Sequence, residues 1–387
     1  MPTGNDKKDY DAVCINCISG ETMAFAVRGS TVENIIESNI KGDDVLFVGP
    51  GLIDLQINGV NGIDFNDASL TEQQVLEATY FLLKQGVTTF FPTVITNSDE
   101  NICKIVATIH AACSSDPVVN DCIRGIHLEG PFLSTTPGAK GAHDEQYIKA
   151  PDWELFKTFQ EAAGERIKLI TIAPEWDGAC AFIEKCREQK VLVSIGHSMA
   201  GAKHIELAVK AGASLSTHLG NAVPLLMPRH PNILWDLLAA DELYACIIAD
   251  GLHIPDSFIK VVIKNKGDKT LVVSDATRFA GMQPGEYQNH IGGAVILDEE
   301  KRVSLKSTPG LMAGAAKLLL ENVETLVDHR LCTLGEAWKM ASINVANMLK
   351  ANDQMFDDKG DFVLFRLNGK EIQIETVIKK GNIVFER

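Results

Sequence analysis

Positive charge is scarce in this chain: Lys and Arg total 36 against 51 Asp and Glu, a formal charge of −15 over 387 residues. That balance argues against broad electrostatic binding to nucleic acid or to an anionic membrane. It leaves a phosphorylated metabolite open, because a few local cations and backbone N–H groups hold one phosphate whatever the net charge. Long apolar runs are missing as well. No stretch approaches the roughly 18 apolar residues of a membrane span, and the opening MPTGNDKKDY has no apolar h-region, so a cytoplasmic protein is expected. The cysteines, nine and scattered, suit reduced thiols rather than a disulfide framework. Cys14 and Cys17 form a CxxC with no second pair nearby, a pattern that fits two N-terminal strand residues far better than a metal or redox site. Low-complexity segments and long linkers are absent.

What is present is a packed globular composition, 45% hydrophobic, on a chain long enough for one large and one smaller domain. Short β-branched or apolar runs recur, each followed by a segment of helical periodicity, which is the pattern of parallel βα units. The predicted strands are Leu52 to Ile57, Thr88 to Val94, Gly125 to Glu129, Lys168 to Ala173, Val191 to Gly196, Ser214 to His218, Cys246 to Asp250 and Leu271 to Asp275. Eight such units predict an α/β fold, a TIM barrel. Predicted helices such as Glu72 to Gln85 and Ala200 to Ala211 run into Gly86 and Gly212, the expected stop residue. Arg278 to Thr308, with Gly281, Pro284, Gly285, Gly292 and Gly293 around short strand-like runs, reads as an inserted loop or hairpin. Tyr10 to Val48 and Phe362 to Glu386 read as alternating strands with turns at Asn368-Gly369 and Gly381-Asn382, so the two ends are expected to share a small β domain. The boundaries expected are 10–50 and 351–387 for that domain and 51–350 for the barrel.

A TIM barrel builds its active site at the C-terminal ends of its strands. Here those ends are polar: Glu129 in HLEGP, His197 in IGHS, His218 in STHLGNA, Asp250 in ADGLH and Asp275 in VVSDA. Taken singly, each is more often a cap or a hydrogen-bonding group than a ligand. Five at one mouth would each cost several kcal/mol to bury unpaired, and a divalent metal accounts for them together. Two imidazoles and a carboxylate, His197, His218 and Glu129, make a set that leaves a position open for water. Asp275, following the apolar LVV, would face the same mouth as general base, or else serve as a fourth ligand or a cap. His143, in the loop KGAHD, is a candidate to steady a carbonyl oxygen, against the plainer reading of an exposed loop histidine. His127 alternates with Glu129 and reads as a core histidine or one that supports the ligands.

The motifs PGLIDLQINGVNGIDF, GVTTFFPTVIT, GIHLEGPFLS with KGAHD, TIAPE, IGHSMA, THLGNAVP, ADGLHI, VVSDAT and LMAGA, in that order over most of the chain, resemble the N-acetylglucosamine-6-phosphate deacetylases of the amidohydrolase superfamily. The resemblance implies a catalytic barrel with a small β-sandwich-like domain formed by the N- and C-terminal segments, and a homodimer. It implies hydrolysis of the acetamide of N-acetyl-D-glucosamine 6-phosphate to acetate and the amino sugar phosphate, in amino sugar catabolism or recycling. Glu129, His197 and His218 would then ligate zinc or a similar divalent ion, with Asp275 as acid and base. Ala142 and His143 would lie at the acetamido group or sugar. Asn221, Ala222, Arg229 and His253 would hold the sugar phosphate, and Met312, Ala313 and Gly314 would line the substrate. Arg229 would reach the neighbouring subunit's site, although PLLMPRHP departs from the family's usual wording there. Where many amidohydrolases carry HxH for a second metal, this chain has Gln56-Ile57-Asn58, and amides ligate zinc poorly, so one ion per subunit is expected. Two rivals stay open: another amidohydrolase, acting on a cyclic amide or on the N-acetylgalactosamine epimer, and a catalytically dead barrel serving as a scaffold.

Overall fold

Runs of apolar residues bounded by turns become buried parallel strands when both faces of a sheet are covered, and the eight predicted runs do so here, with helices outside and the packed barrel interior within. In the computed structural model, which describes residues 10–28, 31–35, 45–289, 293–308, 310–351 and 360–387, they form β1 (Leu52–Ile57), β2 (Val87–Ile95), β3 (Ile126–Glu129), β4 (Ile167–Ile172), β5 (Leu192–Ile195), β6 (Leu215–Ser216), β7 (Tyr244–Ile248) and β8 (Thr270–Val273). Neighbours in sequence are neighbours in the sheet. The ring is brought nearly to closure just beyond β8, where Asp275 N donates to Gln56 O (2.9 Å) and Asn58 N to Ala276 O (2.7 Å). Those two bonds set the first and last strand ends side by side.

The barrel interior is layered. Its floor is apolar: Leu55, Phe91, Leu169, Leu215 and Leu271 pack against Val345, Met348 and Leu349 of the helix Ile343–Ala351, which plugs the bottom. One step up, Thr93, His127, Thr171 and Ser194 on their strands and Thr217 just past β6 form a buried polar layer. Outside the strands, helices present apolar stripes to them. Glu72–Lys84 starts at Thr71 with a reciprocal capping box to Gln74 and buries Val75, Ala78, Leu82 and Leu83. The helix expected from Ala200 begins two residues later, as Ala202–Ala211, because Ser198 to Gly201 are held as a loop by Glu175: its carboxylate accepts from Ser198 Oγ (2.6 Å) and Met199 N (2.8 Å).

The two chain ends share one seven-stranded sheet, in the order Asn382–Glu386, Glu371–Lys379, Phe362–Asn368, Phe47–Pro50, Tyr10–Asn16, Thr22–Arg28, Thr31–Ile35. All its pairings are antiparallel except that of Tyr10–Asn16 with Phe47–Pro50. Phe47–Pro50 runs straight into β1, and the joint is buried: Lys379 Nζ donates to Asp361 Oδ2 (2.6 Å) and to Thr89 Oγ1 (3.3 Å). The segment after β8 forms a further antiparallel sheet of Gly285–Asn289, Gly293–Leu297, Arg302–Leu305 and Met312–Ala315. Residues 29–30 and 36–44 of the N-terminal stretch, 290–292 of the insertion, and 352–359 beside the expected boundary at 351 lie outside the described residues. Among the described residues no helix is long and apolar enough to cross a membrane.

Candidate metal centre

Only Glu129 of the mouth residues lies within a strand. His197, His218, Asp250 and Asp275, predicted as the last residues of theirs, each sit two residues past the end of β5, β6, β7 and β8. The correction has a physical basis. A strand alternates its side chains between two faces, whereas a residue in the turn beyond it takes whatever direction the turn imposes. His197 (φ 50°), His218 (φ 28°) and Asp275 (φ 48°) all occupy the left-handed region, which costs of order 1–3 kcal/mol at a non-glycine residue and persists where the surroundings over-determine it.

Two of those turns, with the end of β3, aim three donor atoms at one point. His197 Nε2 and His218 Nε2 lie 3.0 Å apart, and each is 3.2 Å from Glu129 Oε1. All three side chains are buried. Two imidazole nitrogens so close to each other and to one carboxylate oxygen present three lone pairs to a shared centre, and edges of this length suit ligands about 2 Å from a common ion. His197 Nδ1 donates to Ala139 O (3.0 Å), which leaves Nε2 as the lone-pair nitrogen. His218 Nδ1 is buried and has no hydrogen-bond partner among the described residues. Burial pushes the Glu129 carboxyl up, but the hydrogen bonds and charges of His197 and His218 together outweigh it and hold it well below the usual range. A tetrahedral divalent cation fits this donor set.

Asp275 stands beside the triad through amides. Gln56 Nε2 donates to both Glu129 Oε1 (2.9 Å) and Asp275 Oδ1 (3.0 Å), and Asn58 Nδ2 donates to Asp275 Oδ1 (2.7 Å). Asp275 Oδ2 accepts no hydrogen bond among the described residues, so one oxygen is anchored and the other is open. Burial, then the charge of Glu129, push this carboxyl up to about 6, although His218, His253 and Asn58 pull it back. A carboxyl so poised can take and return a proton near neutral pH.

His143 is buried rather than loop-exposed, 5% accessible. Its ring packs edge-on against His197 at 4.3 Å between centroids, and Nδ1 pairs with Thr96 Oγ1 (2.9 Å). Donor atoms of Glu129, His143 and His197 lie within 4.8 Å of one another, a looser set than the one closed by His218. Burial, then the charge of His197, push the His143 imidazole down to about 3, so it is neutral. A cavity of about 460 Å³ opens beside it, lined by Thr96, Asn97, Lys140, Ala142 and Tyr147.

The other sequence candidates are distributed around this centre. Asn221 N and Nδ2 both donate to His218 O, at 2.9 and 3.2 Å. Ala222 follows with φ 48°, its Cβ 4.0 Å from where a Cβ on Gly141 would lie. His253 is at the rim, paired with Asp250. Met312, Ala313 and Gly314 lie on the strand that runs beside the residues after β8, with Ala276 bridged to Ala315 and Thr277 Oγ1 donating to Ala315 O (2.8 Å). Gly314 (φ 111°) packs on Thr277, where a Cβ would come within 2.6 Å of Cγ2. Arg229 is not gathered in: it is exposed, and its guanidinium makes no hydrogen bond or ion pair among the described residues. His127 is a buried histidine, its Nε2 2.8 Å from Thr171 Oγ1, which continues to Thr217 Oγ1 (2.7 Å) and on to Ser194 Oγ (2.6 Å). Thr96 and Glu175, which steady His143 and the loop after His197, close the motifs GVTTFFPTVIT and TIAPE, but the sequence alone assigns neither a role.

Residues 47–384 match the amidohydrolase family model. The chain is 30% identical over 357 residues to the N-acetylglucosamine-6-phosphate deacetylase of Bacillus subtilis (strain 168), covering 90% of this chain and 87% of that protein. It is 33% identical over 310 residues to the enzyme of the same name from Lysinibacillus sphaericus, covering 80% and 78%. The crystal structure of N-acetylglucosamine-6-phosphate deacetylase from Pasteurella multocida superimposes with a TM-score of 0.82 at 26% identity, over 97% of this chain and 99% of that one.

Proposed function

The chain belongs to the amidohydrolase family, and from that premise we propose that it hydrolyses the acetamide of N-acetyl-D-glucosamine 6-phosphate, giving acetate and D-glucosamine 6-phosphate. The observation that carries this reading is the meeting of Glu129 Oε1, His197 Nε2 and His218 Nε2 within 3.2 Å of one another, with Asp275 tied to the same Gln56 amide as Glu129.

Glu129, His197 and His218 hold one divalent ion, zinc on the chemistry of the donor set, and that ion supplies Lewis-acid activation of water and of the amide oxygen. Asp275 does the proton work: Oδ2 takes the proton of the attacking water and returns it to the leaving nitrogen, while Gln56 and Asn58 fix Oδ1 so that the open oxygen faces the reaction. His143 accepts from the Thr96 hydroxyl at Nδ1, keeps its proton on Nε2, and offers that N–H as a hydrogen bond to the carbonyl oxygen where negative charge develops. Ala142 lines the acetamido side, Asn221, Ala222 and His253 the phosphate side, and Met312, Ala313 and Gly314 the sugar face. Arg229 serves the phosphate of a second subunit in a cytoplasmic homodimer. What supports this is its exposure in a loop that also bares Leu225 (79%) and Leu226 (92%). Gln56 and Asn58 are engaged with carboxylates, which favours a single ion.

The test is acetate release from N-acetylglucosamine 6-phosphate, from the galactosamine epimer and, as ring opening, from dihydroorotate, each with and without chelator. Turnover of the first substrate, lost to chelator and restored by one equivalent of zinc per subunit, is expected. Turnover of dihydroorotate alone, or of nothing, would replace this reading by one of its rivals.

A further inference from the structure

Asp250, singled out in the sequence as a polar strand end, has no part in the metal set or the proton transfer. It is 1% exposed, and each of its three oxygens has a partner. Oδ1 accepts from Leu252 N (2.8 Å) and His253 N (3.0 Å), Oδ2 meets His253 Nδ1 at 2.7 Å, and the backbone carbonyl accepts from Lys317 Nζ (2.8 Å). A carboxylate only accepts, so the 2.7 Å contact requires the proton on His253 Nδ1. Burial alone would push the Asp250 carboxyl up, but its bonds to His253 and Leu252 hold it below the usual range, so it is ionised.

The turn carrying this pair is rigid. Gly251 has φ 77° and packs on the helix Leu319–Asp328, where a Cβ would lie 3.1 Å from His329 Cε1 and 3.2 Å from Thr325 Cγ2. His253 Nε2 makes no hydrogen bond among the described residues, its side chain is 13% exposed, and its charge is felt at Asp275. The lysine beside the pair, Lys317, is engaged on the Asp250 carbonyl. A ring held at one nitrogen by a buried carboxylate presents its other nitrogen in one fixed direction.

We infer that Asp250 is a positioning residue: it holds the His253 ring at Nδ1 so that Nε2 faces the anionic end of the substrate, and thereby sets the preference for a phosphorylated over an unphosphorylated N-acetyl sugar. The inference rests on the proposed function. Asp250→Asn keeps an acceptor for the two backbone N–H groups but sets an amide N–H₂ against His253 Nδ1–H, donor against donor, which breaks the contact that holds the ring. The experiment compares the zinc-loaded wild type, Asp250→Asn, His253→Gln and the double variant on N-acetylglucosamine 6-phosphate and on N-acetylglucosamine, with thermal melting alongside. Each single variant is expected to lower the ratio of kcat/KM for the two sugars about tenfold, mainly through KM of the phosphorylated one. The double variant is expected to match His253→Gln alone, because Asp250 acts only through the ring. Equal losses on both sugars, or losses that add in the double variant, would overturn it. A wild type that releases acetate from neither sugar would instead sink the functional reading.

Discussion

At Asp275 the carboxyl is anchored at one oxygen and open at the other, and this asymmetry is what a base that must also act as an acid needs. Asp275→Asn keeps the volume and the Gln56 and Asn58 neighbours but has no proton to exchange. Turnover should fall about 10²- to 10⁴-fold while elemental analysis still finds one metal per subunit; loss of the metal would instead make Asp275 a ligand. The pH profile follows from the same carboxyl. Burial and Glu129 raise it to about 6, and only its ionised form is a base, so kcat/KM should climb with pH through an acid limb at or below about 6, since positive charge gathered at the triad pulls it further down. Asn58 donates 2.7 Å to Oδ1 and holds that value down. In Asn58→Ala the limb should therefore move to higher pH, with the plateau less affected than the limb; an unmoved limb would separate Asn58 from the proton transfer. Pairings such as Asn58 to Asp275, 217 residues apart, were not legible in the sequence. They exist because the barrel closes, and a chain read in one direction gives no sign of which amide meets which carboxylate.

The strands themselves were legible, since burial on both faces writes each as an unbroken apolar run, and β1 was placed to the residue. Their ends were not. His197, His218, Asp250 and Asp275 follow apolar stretches as a last strand residue would, and the left-handed turn that aims three of them leaves no trace in hydrophobic periodicity. The small residue before His197 is the one local sign. A Cβ on Gly196 would lie 2.6 Å from Thr217 Cβ and 2.9 Å from Thr171 Cγ2, both in the polar layer beneath the triad. Gly196→Ala should therefore cost about 1–3 kcal/mol by overpacking, read from the denaturant midpoint of the metal-free protein. It should also weaken zinc binding, because His197 and His218 are carried on the two segments pushed apart. A variant as stable as wild type with unchanged zinc affinity would mean that the layer yields without moving the ligands.

At the scale of the molecule, the terminal sheet is pinned to the barrel at buried joints, one of them ionisable in the range where the protein works. Glu324, on the helix Leu319–Asp328, accepts from Ile372 N (2.6 Å) of the terminal sheet, and burial pushes its carboxyl up to about 7, with Glu321 and Glu371 adding to the rise. A carboxyl raised on folding stabilises the folded state fully below its unfolded value, near 4.5, and that contribution is lost as pH rises through about 7. Glu324→Gln keeps the acceptor for Ile372 N and removes the titration. The variant should match the wild type at pH 5 and exceed it at pH 8 by on the order of 1 kcal/mol, a figure discounted for the group's partial exposure to solvent. Denaturant unfolding of both proteins at the two pH values decides it: a constant difference would mean that Glu324 titrates normally and that the joint is indifferent to pH. The expected divergence, confined to the side where the carboxylate forms, would tie the attachment of the terminal sheet to one proton.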